Sequence, residues 1–293
     1  MEQRNAISKT GLLVTLIVLI FFVALMFPAL SRLKKLAQKD LCVSNMKGLG
    51  TATIVYSNDY NDKFPQLPGK GPWSKNLGFS YDLQKPDFTP GGPQELTERT
   101  ITASLYLLIR EADVSPKTFI CPHSEQTEFY VSTSNNEDLI QLWDFGHDPY
   151  KHVSYSFHNP YGRYPANGTC SAYFAVASDM NPWFKDGNIL RPGKEKKPPQ
   201  IISLNDESTW SLGNSLNHKN RDWPYDKGQN VLYADGHTSY KKEPNVGLSH
   251  DNIYTFWSTT ENPTKQDIQG GTNPTSRSKE NDAKSKDDSF LAI

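Results

Sequence analysis

The run GLLVTLIVLIFFVALMFPAL, Gly11 to Leu30, holds twenty residues without a charge. As a helix rising about 1.5 Å per residue it would reach about 30 Å, the hydrocarbon thickness of a bilayer. The run therefore predicts a transmembrane helix. A buried core helix fits poorly, because a chain only 36% apolar cannot surround so uniform a cylinder on every side. A cleaved secretory signal is the closer rival. Against it, the run exceeds the usual apolar region of about 7–15 residues, and the bulky, basic FPALSRLKKLAQ stands where a small-residue cleavage site would follow. Arg4 and Lys9 precede the span, and Arg32, Lys34, Lys35 and Lys39 follow it, so local charge sets no clear orientation.

Beyond the span the helical period continues through Leu30, Leu33, Leu36, Leu41, Met46, Leu49 and Ile54. One helix from about residue 10 to 58 is expected, half in lipid and half amphipathic, weakened late by Gly48 and Gly50 and ended by NDYNDKFPQLPGKGPW. A second helix is expected over 100–111 and a short strand around Thr118–Cys121, with 123–150 irregular. HVSYSFHNPYG, CSAYFAVASDMNPW and PPQIISLND read as strands. NVLYA and HTSYK flank Asp235-Gly236, which signals a hairpin with a two-residue type I′ turn. From about 258 to 293 the chain is polar and nearly without apolar groups up to Asp288, and is expected to be disordered. The fold class is α+β: a long N-terminal helix whose amphipathic half packs on an antiparallel sheet. Its expected divisions are a leader-like segment 1–10, a span 11–30, a helical continuation 31–60, an α+β domain 61–257 and a tail 258–293.

Basic and acidic residues number 31 and 32, so no net field attracts nucleic acid. There is no Gly-x-Ser-x-Gly and no phosphate-binding glycine loop at the right spacing, so the chain does not read as an enzyme. Cys42, Cys121 and Cys170 lack zinc-ribbon spacing and allow one disulfide whose pairing stays open. His218, Asp235 and His237, with Asp179 or Asp206, form a candidate cation site if they converge at one end of the sheet. The simpler reading makes Asp235 and Gly236 turn residues, with no cofactor bound. The six Trp could form a glycan-binding face, although rings at such spacing more often fill a core.

Three separated stretches carry a resemblance. They are the N-terminal helix with CVSNMKGLG and the YSNDYNDKFP ending, the FICP of Phe119–Pro122, and NSLNHKNRDWPYDKGQNVLYADGHTSYKKEPNVGLSHDNIYT. In these the chain resembles the type IV pilin-like and type II secretion pseudopilin superfamily, in the group of prepilin-type proteins with an H-X9-DG domain abundant in planctomycete-like bacteria. The resemblance implies a pilin-like fold and a single-pass protein of the cell inner membrane with the bulk of the chain in the periplasm. It also implies pilin-like subunits as partners through the N-terminal helix. The H-X9-DG-like region covers about 214–257. Two departures stand out. The family's Gly, Phe-Thr-Leu-Ile-Glu leader junction falls here on Ala6 and on Ile7, Ser8, Lys9, Thr10 and Gly11, so leader cleavage between Ala6 and Ile7 is expected to be inefficient or absent. Sixteen residues instead of nine separate His218 from Asp235. A membrane-tethered glycan- or protein-binding module is the alternative function, and an anchored metal-dependent hydrolase a further one.

Overall fold

The computed structural model describes residues 9–77, 99–130, 138–190, 209, 213–217, 228–278 and 280–293. Two compact units divide the chain, residues 1–40 and 41–293. Helix α1 (Lys9–Asp59) is a single element of 51 residues. Over Thr10–Phe27 its mean hydropathy is 2.8 and none of it is buried. Leu16, Ile17, Val18 and Leu19, which step about 100° each around the helix and so cover every side of it, are all exposed. The hydroxyl of Thr15 donates back to the Gly11 carbonyl at 2.9 Å, which removes the one polar side chain of the run from its surroundings. In length and composition this is a membrane anchor or a signal sequence.

In residues 41–293, the later turns of α1 bury Cys42, Met46, Leu49, Ala52 and Tyr56, a stripe recurring every three or four residues. The expected stripe is displaced at its start, since Leu41 is exposed and its neighbour Cys42 faces the core. Gly50 has a packing reason. A Cβ there would lie 2.5 Å from Leu232 Cδ1 and 3.3 Å from the Gly236 Cα, so a bare helix surface is what lets α1 approach the sheet. Helix α2 (Ile101–Ala112) starts where Thr100 Oγ1 accepts from the Ala103 N–H at 2.9 Å, and stops at Asp113 in the left-handed region, φ 52°.

Strands β1 (Tyr155–His158), β2 (Ala175–Asp179), β3 (Phe184–Lys185), β4 (Asn188–Ile189), β5 (Gln229–Tyr233), β6 (Thr238–Lys241) and β7 (Leu291–Ala292) follow. Five of them form one antiparallel sheet in the order β6-β5-β2-β1-β7, and β3 and β4 make a separate small hairpin. The three inner strands are buried along their whole length. The molecule is therefore α+β, with helix packed on antiparallel sheet as expected.

Three expectations are corrected. Thr118–Cys121 is no strand: Pro116–Phe119 forms a 3-10 turn, because Pro116 fixes φ and suits the first helical position. The tail 258–293 is not disordered in its described residues. Thr272 bridges to Phe256, and β7 joins the sheet edge beside β1 with Phe157 opposite Ala292. Phe290, Leu291, Ala292 and Ile293 are all buried. Few apolar residues suffice there because polar side chains satisfy the backbone directly: Asp288 accepts from the Trp257 N–H at 2.9 Å, and Asn281 from the Thr275 N–H at 2.8 Å. The third correction concerns the β5–β6 hairpin. Leu232 pairs with Thr238, and Tyr233 N–H donates to the His237 carbonyl at 3.0 Å, so three residues, Ala234 to Gly236, make the loop. Gly236 N–H closes a turn onto the Tyr233 carbonyl at 2.9 Å, and only Gly236 of the three has positive φ, 85°. A turn followed by a left-handed glycine replaces the expected type I′ pair. The strand read in PPQIISLND lies outside the described residues.

Candidate functional site

The antiparallel register of β1 and β2 places Tyr155 opposite Asp179, both buried. Helix α1 lays Cys42 against them. Its sulfur donates to Asp179 Oδ1 at 3.3 Å and lies 3.6 Å from the Tyr155 hydroxyl. Asn230, in β5, reaches both groups: its backbone N–H donates to Asp179 Oδ2 at 2.6 Å and its Nδ2 to Cys42 Sγ at 3.2 Å. Asn217 Nδ2 donates to the Ser154 carbonyl at 2.6 Å and to Asp179 Oδ1 at 3.4 Å. One helical turn beyond Cys42, Asn45 Nδ2 donates to the Ile120 carbonyl at 2.8 Å. That grip holds the next residue, Cys121, over the same spot, and the Ser154 N–H donating to the Phe119 carbonyl at 2.9 Å secures the loop from the sheet side.

The result is a buried centre in which one atom each of Cys42, Cys121 and Asp179 lies within 4.8 Å of the others. No disulfide joins Cys42, Cys121 and Cys170, and Cys170 stands apart, its sulfur 3.4 Å from the Asn167 N–H that it accepts. Burial, with the neighbouring Cys42, Cys121 and Asp179, holds the Tyr155 phenol well above its ordinary range, so it stays protonated. Cys42, Cys121, Asp179, Tyr155 and Asn230 are each at most 1% exposed. A substrate has no direct access to them, so the centre suits structure more than turnover.

The candidate cation set read from the sequence does not assemble as expected. Asp179 lies at the end of β2 beside Asn230, while Asp235 and His237 sit in the turn at the other end of β5. Asn230 and Asp235 are five residues apart along β5 and the start of its turn, roughly 16 Å when extended. Asp235 and His237 instead pair with each other, Oδ1 to Nδ1 at 2.5 Å, and the imidazole stacks on Tyr233 at 4.4 Å. His218, Asp206, Ala6 and Ile7 lie outside the described residues.

Gly236→Val should therefore destabilise the fold by more than about 1 kcal/mol, since a β-branched residue resists φ 85° and its Cβ would meet Ile54 Cδ1 at 2.8 Å. His237→Ala should cost less than about 0.5 kcal/mol, its contact with Asp235 being exposed. Urea melts of the two variants check the ordering, and the reverse ordering would make the imidazole the structural element.

Among the described Trp, Trp73, Trp183 and Trp257 are buried, and Trp143 stacks under the Arg110 guanidinium at 3.8 Å. They build core rather than a sugar platform. A pocket of about 40 Å³ lined by Thr53, Ile101, Phe157 and Leu232 has room for a few water molecules.

The sequence reading named Cys42 and Cys121 only as possible disulfide partners, without joining them to Asp179, and passed over Asn217 and Asn230. Their signal was positional: each sits inside one of the three stretches that carry the family resemblance, and the fold brings those stretches together at Asp179. No protein-family model, curated protein or solved structure matches the chain.

Proposed function

We propose that the chain is a non-enzymatic, single-pass pilin-like protein of the inner membrane, of the pseudopilin type, with its α+β domain in the periplasm. The observation that supports this reading most is α1 itself. One unbroken helix exposes apolar side chains over Thr10–Phe27 and then contributes Cys42, Met46, Leu49 and Tyr56 to the core of residues 41–293. A helix built this way serves as anchor and as structural spine at once, as in the pilin-like superfamily that the sequence resembles. Its function is then assembly or support in type II secretion or a pilus-like system, through contacts of the N-terminal helix with other such subunits.

Ala6 in place of the family's Gly, and Gly11 in place of its Glu, argue for an anchor that keeps its N-terminus and joins a filament poorly. A carboxylate in the membrane registers one subunit against the amine of the next, and Thr15, bonded to its own helix, offers no substitute. After alkaline carbonate washing, the protein should stay with the membranes, and its intact mass should be that of the uncleaved chain. A soluble product lacking the apolar run would make that run a signal sequence and overturn the reading.

A further inference from the structure

We propose that Cys42, Cys121 and Asp179 form a structural site for a thiophilic divalent cation of the Zn2+ class. The spacing carries the proposal. In a tetrahedral zinc site, Zn–S of about 2.3 Å and Zn–O of about 2.0 Å put sulfur and oxygen ligands ~3.5 Å apart. Cys42 Sγ lies 3.3 Å from Asp179 Oδ1 and 3.6 Å from Tyr155 Oη, and the Cys121 sulfur falls within the same 4.8 Å cluster. Cys42 and Asp179 thus already stand at a ligand-to-ligand distance, with the Cys121 sulfur within 4.8 Å of both and the phenol oxygen at a similar spacing from Cys42.

The surroundings fit a metal better than a disulfide. Thiolates and carboxylates bound to zinc accept hydrogen bonds from an outer layer of donors. Here Asn230 Nδ2 points at Cys42 Sγ, and the Asn230 N–H and Asn217 Nδ2 point at the two Asp179 oxygens. Binding would release the two thiol protons to solvent and leave two thiolates and one carboxylate around the dication, a net charge of about −1 that these donors face. A Cys42–Cys121 bond would instead draw the Cys42 sulfur away from Asp179 and remove a donor from a fully buried carboxylate. Burial makes the site a closed one, filled as the domain folds, and its ligands come from α1, the loop after the 3-10 turn and β2, three segments far apart in sequence.

The test uses the full chain extracted in detergent under reducing conditions, with Zn2+ measured by elemental analysis and Co2+ as the spectroscopic probe. About one metal per chain is expected, and cobalt should give the visible bands of four-coordinate Co2+ together with thiolate-to-cobalt charge transfer. Cys42→Ser and Cys121→Ser should lose both signals, Asp179→Asn should bind at least about tenfold more weakly, and Cys170→Ser should bind as the unaltered chain does. Because the serine variants risk misfolding, the unaltered protein supplies a second measurement. Alkylation of Cys42 and Cys121, read by peptide mass, should speed up on chelation while that of Cys170 does not change. Equal rates with and without chelator, metal binding no greater than in the Cys42→Ser/Cys121→Ser double variant, or a Cys42–Cys121 disulfide in protein extracted without reductant would each overturn the proposal.

Discussion

Replacing Phe290 by Ala should lower the stability of the α+β domain by about 3–5 kcal/mol, enough to leave a marginal domain largely unfolded at 37 °C. The ring is fully buried, edge-on to Trp73 at 6.4 Å and to Phe256 at 5.5 Å. Its carbonyl accepts from the Asn159 N–H at 3.3 Å, and the next residue opens β7, so the cavity would form where the last strand is fastened. Urea melts followed by tryptophan fluorescence would measure the loss. A polar tail detached from the fold would show a change near zero, so this one substitution separates the two views of the C-terminus.

A second large effect is pH-dependent. Asp144 is fully buried, and burial raises its carboxyl from 3.8 to about 7, although hydrogen bonds from the Thr100 hydroxyl, the Phe145 N–H and the Thr102 hydroxyl pull it back. The folded pKa lies above the unfolded one. The folded state therefore holds the extra proton between about pH 4 and 7, and the associated stability, complete below the unfolded pKa, is lost as pH rises through the folded value. Asp144→Asn removes that dependence. The stability of the variant relative to the unaltered protein should rise by on the order of 3 kcal/mol from pH 5 to pH 8. Asp251, raised to about 7 by burial, and Asp288, raised by burial and by Asp251, act in the same direction in both proteins. Buried His158 is shifted down and acts oppositely, so the difference between variant and parent is the clean quantity. A difference independent of pH would mean that Asp144 keeps its ordinary carboxylate range in the fold.

The elements with strong local signals were legible in the sequence. A 51-residue helix was readable from uncharged and then periodic residues, and α2 and the strands around Tyr155, Ala177 and Val231 from their apolar content. The tail was not, because its order rests on side chains such as Asp288 and Asn281 bonding to distant backbone, which hydropathy does not register. The hairpin was found, but its loop was one residue longer than Asp-Gly implied: register follows the pairing of Leu232 with Thr238, not the dipeptide alone. Nor was the centre at Asp179 legible. Its residues come from positions 42, 121, 179, 217 and 230, and no spacing rule links them, whereas Asp235 and His237, two residues apart, drew attention and proved to be partners of one another.

In the proposed function, α1 anchors the chain in the inner membrane and the α+β domain lies on the far side. Protease added to intact spheroplasts of cells expressing the full chain probes that placement. The sequence beyond about residue 40 should be degraded while the apolar run stays with the membrane, and a cytoplasmic marker should survive the same treatment. Full protection of that domain until the spheroplasts are lysed would contradict it.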